Sequence, residues 1–205
     1  MLAGAGCSPD SPAGGATSAR TPSPESGGCG SFVVVGDSIT AGSEPIRGRE
    51  VPGTGSWVPA ADAAPLRFAG GLAVPGATTE DLRAIVPQVD GDLLVIMAGT
   101  NDLYHQHLWP RIRENILTIA EAGGPPAVVL SAVAPSDRIP EATGRLNRRL
   151  RALADEQGWT FLDPWPGIAA GEGFEPGASL DGIHPTPDAA ADVGTVIREK
   201  LLALC

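Results

Sequence analysis

Lysine is almost absent from this 205-residue chain: Lys200 is the only one, and 14 basic residues face 24 acidic ones, for a formal net charge of -10. A surface of that sign repels phosphate backbones, which excludes electrostatically driven nucleic-acid binding and disfavours anionic membrane surfaces. No run approaches the roughly 18 consecutive apolar residues of a bilayer-crossing helix, so the written chain does not span a membrane. No serine sits in a G-x-S-x-G turn, no H-E-x-x-H occurs, and the single lysine is not in a phosphate loop. Those absences set aside α/β-hydrolase, zincin and P-loop chemistry. Internal repeats are also lacking. With 42% hydrophobic residues, a chain of this length suits one globular domain and is tight for two.

Between Ser8 and Ser31 there is no Val, Ile, Leu, Met, Phe, Tyr or Trp, and Gly, Pro and Ser supply most positions. Such a stretch cannot repay the entropy of ordering, so residues 8–30 read as a disordered linker and residues 31–205 as the folded domain. Before the linker, residues 1–7 end in Ala5-Gly6-Cys7, which looks like the small-residue end of a bacterial lipoprotein signal. A working signal needs a basic region and roughly 7 to 15 apolar residues ahead of the cut. Either the true start lies upstream of Met1, with Cys7 lipidated and the protein an extracellular or envelope lipoprotein, or the likeness is accidental and the location open. The other cysteines, Cys29 and Cys205, stand at the two ends of the folded part. Domain termini often lie close together, so in an oxidising compartment they could form a bridge; the alternative is two unpaired thiols.

Three short, β-branched and nearly all-apolar runs, 31–36, 92–98 and 127–133, have the pattern of strands buried on both faces of a parallel sheet. Residues 66–73 and 159–162 are weaker candidates for two more. Helical segments alternate with them. One spans 79–88, opened by Thr78 with Asp81 three residues on; another spans 111–122, closed by Gly123-Gly124. A third covers 140–157, with Leu146, Leu150 and Leu153 on one face, and a fourth runs from Thr186-Pro187 to about 203. This alternation predicts an α/β fold: a three-layer α/β/α sandwich around a five-stranded parallel sheet. Ligands in such folds sit beyond the carboxyl ends of the strands, which is where chemistry is to be sought.

Directly after the first strand stands Gly36-Asp37-Ser38-Ile39-Thr40, after the third Gly99-Thr100-Asn101-Asp102, and near the C-terminus Asp181-Gly182-Ile183-His184-Pro185. A serine hydroxyl needs a base to become a nucleophile, histidine is that base near neutral pH, and a carboxylate fixes the tautomer of the histidine. Gly76 in Pro75-Gly76-Ala77-Thr78 offers a bare backbone amide, and Asn101 a side-chain amide, as donors to an oxyanion.

This ordered set resembles the SGNH (GDSL-type) hydrolase family, small serine esterases, lipases and acetylhydrolases of flavodoxin-like fold, over residues 31–205. The resemblance implies Ser38 as nucleophile, His184 as general base and then acid, and Asp181 as the residue orienting His184. It also implies an oxyanion hole of the Ser38 and Gly76 amides with the side chain of Asn101. Asn147 and Asp163 sit where such chains often carry Asn and Asp, and are read as structural. Asp37, Trp57, Tyr104, Trp109 and Ile183 are candidate substrate contacts, the aromatic ones because they fall in loops expected to border the cleft. The His105-x-His107 pair has no third ligand suggested nearby, so no metal is expected, and the proposed chemistry needs no cofactor. The reading is a serine ester hydrolase acting on short-acyl or acetyl esters through an acyl-enzyme. Its rivals are a non-catalytic glycan- or lipid-binding envelope protein on the same fold, and an acyltransferase using the same serine. The expected partner is a small ester substrate, with no nucleic acid, membrane contact only through a lipid at Cys7, and the chain working as a monomer.

Overall fold

In a computed structural model, which describes residues 1–2, 30–50, 52–125 and 127–205, the apolar runs form the middle of a six-stranded sheet. β1 (Ser31–Gly36), β3 (Arg67–Ala73), β4 (Leu93–Met97), β5 (Ala127–Ser131) and β6 (Thr160–Leu162) are mutually parallel, and β2 (Ile46–Gly48) adds an antiparallel edge, in the order β2-β3-β1-β4-β5-β6. The five expected parallel strands are therefore present, and the sixth is one that sequence periodicity did not reveal. Three residues are too few to display an alternation.

Alternate residues of each strand face opposite layers, as a two-residue period requires. From β1 and β4, Phe32, Val34, Leu93, Val95 and Met97 join one core, which α2 (Val58–Ala61) and α7 (Pro187–Leu202) cover with Val58, Val193, Ile197 and Leu201. Val33, Val35, Leu94 and Ile96 face the other core, beneath α3 (Thr79–Ile85), α5 (Trp109–Gly123) and α6 (Pro140–Gln157). Leu82, Ile112, Ile116, Ile119, Leu146, Leu150 and Leu153 form its roof. The sandwich thus has three layers. Three short pieces, α1 (Ser38–Ala41), α4 (Thr100–Tyr104) and the hairpin β7 (Ala169–Ala170) with β8 (Gly173–Phe174), lie where sequence reading placed loops.

Local chemistry explains the helix limits. Thr78 and Asp81 form a capping box, each side chain bonding the other residue's backbone N–H, so α3 starts at the expected residue. It stops at Ile85 rather than residue 88 because Pro87 disfavours helical geometry at Val86, which is extended (φ −63°, ψ 121°). Gly124 and Gly158, both left-handed, end α5 and α6.

The start of β1 is pinned by Asp92, whose Oδ2 accepts the Gly30 N–H, the Ser31 N–H and the Ser31 hydroxyl, each at 2.8 Å. At the other end of the domain Cys205 is disulfide-bonded. Its expected partner Cys29 lies outside the described residues, as do Cys7 and all of the 8–30 segment except Gly30. No helix among the described residues is long and apolar enough to cross a membrane.

The pairing of β1 with β3 skips Ala69, which falls between the Phe32–Phe68 and Val33–Gly70 pairs, so β3 bulges just before its Gly70-Gly71 pair. Gly71 has φ +153°, and a Cβ there would sit 2.1 Å from the Val34 carbonyl oxygen. The nearest atoms all belong to the Val34 backbone, so no flexible side chain can move aside. Gly71→Ala should therefore destabilise the protein by at least about 2 kcal/mol, checked by urea denaturation of the two proteins.

Candidate active site

The chain leaves β1 at Gly36 and turns at once into α1. Asp37 makes the turn: its Oδ1 accepts the Ile39 N–H at 3.0 Å, capping α1 and placing Ser38 as the first helical residue. The Ser38 Oγ lies 2.9 Å from His184 Nε2.

His184 is held by the turn that carries it. Asp181 Oδ1 accepts the N–H groups of Ile183 (2.9 Å) and His184 (2.8 Å), and Oδ2 lies 2.7 Å from His184 Nδ1. Burial works against charge on Asp181, but those N–H groups and the ring outweigh it and hold the carboxyl well below the usual range. An ionised carboxylate only accepts, so the proton belongs on Nδ1, and the Nε2 lone pair faces Ser38. Ser179 closes the turn, its hydroxyl donating to the His184 carbonyl at 2.6 Å and accepting the Gly182 N–H at 2.9 Å.

The segment beyond β5 braces this turn from outside. Arg138 Nε donates to the Asp181 carbonyl at 2.8 Å, and the Asp137 N–H (2.9 Å) and Ser136 hydroxyl (3.3 Å) both donate to the Gly182 carbonyl. Asp137 Oδ1 in turn accepts the Phe174 N–H at 2.8 Å, tying in the hairpin. The sequence pattern alone does not mark Ser136, Asp137 or Arg138 as part of this turn's surroundings. Only Ser179, two residues before Asp181 in a turn-forming stretch, carried a local signal.

On the other flank, Asn101 Nδ2 donates to the Ala77 carbonyl at 2.9 Å, which fixes the Asn101 side chain beside the 75–77 segment. Pro75 of that segment lines one pocket with Ser38 and His184. Gly76 has φ +77°, and nothing lies within 4 Å of where a Cβ would stand, so its backbone borders open space. Asp102 anchors the arrangement from within. Fully buried, it accepts the Thr79 N–H (2.8 Å) and hydroxyl (2.7 Å) and lies 3.1 Å from His107 Nδ1.

The structure thus brings Ser38, His184 and Asp181 into contact and gathers Gly76 and Asn101 around one loop, but it treats the candidate substrate contacts differently. Trp57 is 1% exposed, stacked on Phe32 within the core with its Nε1–H on Thr40 Oγ1, so it does not border the cleft. Trp109 is half-buried among core residues with the Arg149 guanidinium 5.8 Å above its ring. Large apolar surfaces were taken into the core rather than left at the rim. Tyr104 is exposed, Ile183 serves Asp181 through its N–H, and neither lines the pocket at Ser38. Asp37 is 1% exposed and also does not reach that pocket.

Asp37 has an environment opposite to that of Asp181. Its Oδ2 has no hydrogen-bond partner among the described residues. Burial pushes its carboxyl up to about 7; the Ile39 N–H and the charge of His184 pull it down, and Asp102 adds to the rise.

Residues 34–191 match the model of the GDSL-like lipase/acylhydrolase family. Among solved structures, a GDSL-like lipase from Bacteroides thetaiotaomicron has 20% sequence identity and a TM-score of 0.63, over 86% of this chain and 89% of its own. The aryl esterase of M. smegmatis has 19% identity and a TM-score of 0.60, over 85% and 99%. A catalytic mutant of an acetylxylan esterase from Geobacillus stearothermophilus has 17% and 0.62, over 83% and 93%. These neighbours share the fold. No curated protein sequence matches.

The Asp37 carboxyl titrates higher in the folded chain than unfolded, where its ordinary value is 3.8. Stability is therefore lost as pH rises from about 4 to about 7, while the unfolded state ionises freely and the folded state holds its proton. Asp37→Asn keeps the acceptor for Ile39 and cannot ionise. The stability of the variant relative to wild type should rise by about 1–4 kcal/mol between pH 4 and pH 8, read from denaturant midpoints at both values. A flat difference would mean that Asp37 is not held neutral.

Proposed function

Because the chain belongs to the GDSL-like lipase/acylhydrolase family, we propose that it hydrolyses carboxylic esters of short acyl groups through Ser38, His184 and Asp181. The observation that carries this reading is the unbroken relay from Ser38 Oγ to His184 Nε2 (2.9 Å) and from His184 Nδ1 to Asp181 Oδ2 (2.7 Å).

As the Ser38 oxygen attacks the ester carbonyl, its proton passes to His184 Nε2, and the carbonyl becomes a tetrahedral oxyanion. The imidazolium is stabilised by the Asp181 carboxylate, which stays ionised because the turn's N–H groups saturate it. The backbone N–H groups of Ser38 and Gly76 and the amide of Asn101 receive the oxyanion. Asn101 has one amide hydrogen committed to Ala77, which leaves the other to point at the reacting oxygen. Collapse expels the alcohol with the proton from His184 and leaves an acyl-Ser38 ester. Water, deprotonated by the same nitrogen, then attacks that ester and releases the acid.

Acyl-chain length follows from the space at the serine. The pocket of about 380 Å³ is lined by Ile39, Gly42, Gly55, Pro75, Pro185 and Pro187, with few polar groups besides Ser38, His184, Ser43 and Thr54. It is an open hollow rather than a tunnel, which favours acetyl and similarly short groups. Among the structural neighbours, one is by name an acetylxylan esterase and another an aryl esterase, which supports ester hydrolysis and, in the first case, an acetyl group.

Purified protein should hydrolyse p-nitrophenyl acetate faster than the octanoate. Ser38→Ala and His184→Ala should each lower kcat/KM by about 10³-fold or more. Equal rates in wild type and both variants would transfer the fold to a binding role. Ester formation with an added alcohol, outrunning hydrolysis, would make the chain an acyltransferase.

A further inference from the structure

A second cleft, of about 440 Å³ and so larger than the hollow at Ser38, opens at the carboxyl ends of β5 and β6. Strand order sets β5 and β6 two and three places from β1, or about 10–15 Å along the sheet edge at 4.8 Å per strand. No residue lines both spaces. One wall is α6; the other is the chain from Phe161 to the turn of the β7–β8 hairpin.

Some of its polar groups are already committed. Arg148 bonds Glu172 at 3.0 Å, and Asn147 uses its amide on the Val133 N–H (2.9 Å) and carbonyl (3.1 Å). Gly144 allows Glu172 to sit there, since a Cβ on Gly144 would fall 1.8 Å from its Oε1.

Three groups are not committed. The Arg151 guanidinium lies 4.3 Å over the Phe161 ring and has no acceptor or ion-pair partner among the described residues. Asp163 receives only the Trp165 N–H, at 3.3 Å, on Oδ1. Thr143 is 2% exposed, yet its hydroxyl has no partner among the described residues. A donor fork stacked on the Phe161 ring, a carboxylate and the hydroxyl of a buried threonine therefore share one cleft without satisfying each other.

The charges in the cleft cancel, two arginines against Asp163 and Glu172, on a chain whose net charge is -10. An anion suited to Arg151 would meet Asp163, and a cation suited to Asp163 would meet Arg151. A neutral polyhydroxyl compound escapes that conflict, because each hydroxyl both donates and accepts. From this arrangement we infer that the cleft is a saccharide-binding site, with sugar hydroxyls donating to Asp163, accepting from Arg151 and pairing with Thr143. The site stands apart from ester hydrolysis and does not depend on it.

Titration of the full chain with xylotriose and with maltotriose, followed by amide and Arg Nε NMR shifts, tests the inference. At least one trisaccharide should shift Thr143, Arg151 and Asp163 with a Kd of order 1 mM, leaving Ser38 and His184 unmoved. Arg151→Ala and the near-isosteric Thr143→Val should each weaken binding about fivefold or more, while p-nitrophenyl acetate hydrolysis stays at the wild-type rate. Neither sugar binding at about 20 mM, or sugar shifts confined to the Ser38 hollow, overturns the inference. Citrate binding at Arg151 without sugar binding overturns it too and marks an anion site.

Discussion

The reversal of strand order at β1 and β4 is the constraint on which the site depends. From β1 the chain moves to one side to form β3, then crosses back to add β4, β5 and β6 in turn on the other side. Connections that run in opposite directions from neighbouring strands leave a crevice between them that no crossover can cover. Ser38 stands two residues beyond the end of β1, and Asn101 a few residues beyond the end of β4. Both are set at that crevice by the sheet itself. Only the 181–184 turn has to be brought in from afar, and it arrives as the approach to α7.

Three carboxyl groups around the crevice show how environment divides labour among identical chemistry. Asp181 is saturated by N–H groups and stays charged, which suits a partner for an imidazolium. Asp102 is buried but fully bonded, to Thr79 twice and to His107, and serves as a tie between α3 and α4. Asp37, beside the serine, is buried with one oxygen unbonded, and its charge is the costly state. Where Asp37 holds its proton it adds no negative charge beside the serine, so under the proposed ester hydrolysis the burial that costs stability would spare an oxyanion a repulsion.

Sequence reading found what local chemistry determines. The β-branched runs of β1, β4 and β5, the Thr78–Asp81 box and the left-handed glycines each act within a few residues, so they are visible in one dimension. The triplets around Ser38, Asn101 and His184 are also local, each lying at the end of an element that patterning had located. Where packing decides, the sequence was silent or misleading. Trp57 reads as a loop aromatic, and it is the stack on Phe32 and the bond to Thr40 that draw it into the core. β2 exists because β3 has a free edge, and nothing in Ile46-Arg47-Gly48 announces it. The end of α3 was legible after all, since Pro87 forbids what the apolar pattern suggests. Arg138 and Asp137 belong to the site only because β5 ends beside a turn more than forty residues later in the chain.

That last arrangement links the two clefts. Glu172, on the wall of the larger one, accepts the Ser136 N–H at 3.0 Å through its carbonyl, and the Ser136 hydroxyl donates to the Gly182 carbonyl inside the 181–184 turn. The stretch 133–138 is thus a shared partition: Val133 and Pro135 line the larger cleft, while Ser136, Asp137 and Arg138 hold the 181–184 turn. A partition bonded on both faces is stiff, because shifting it breaks bonds on either side at once. The stiffness fixes the distance between the two spaces, so one extended molecule could place a remote portion beside α6 and an ester group at Ser38 only if its own length matched that gap. Selection by length would then come from the spacing of β1, β5 and β6, a property of the sheet rather than of any side chain in the hollow at Ser38.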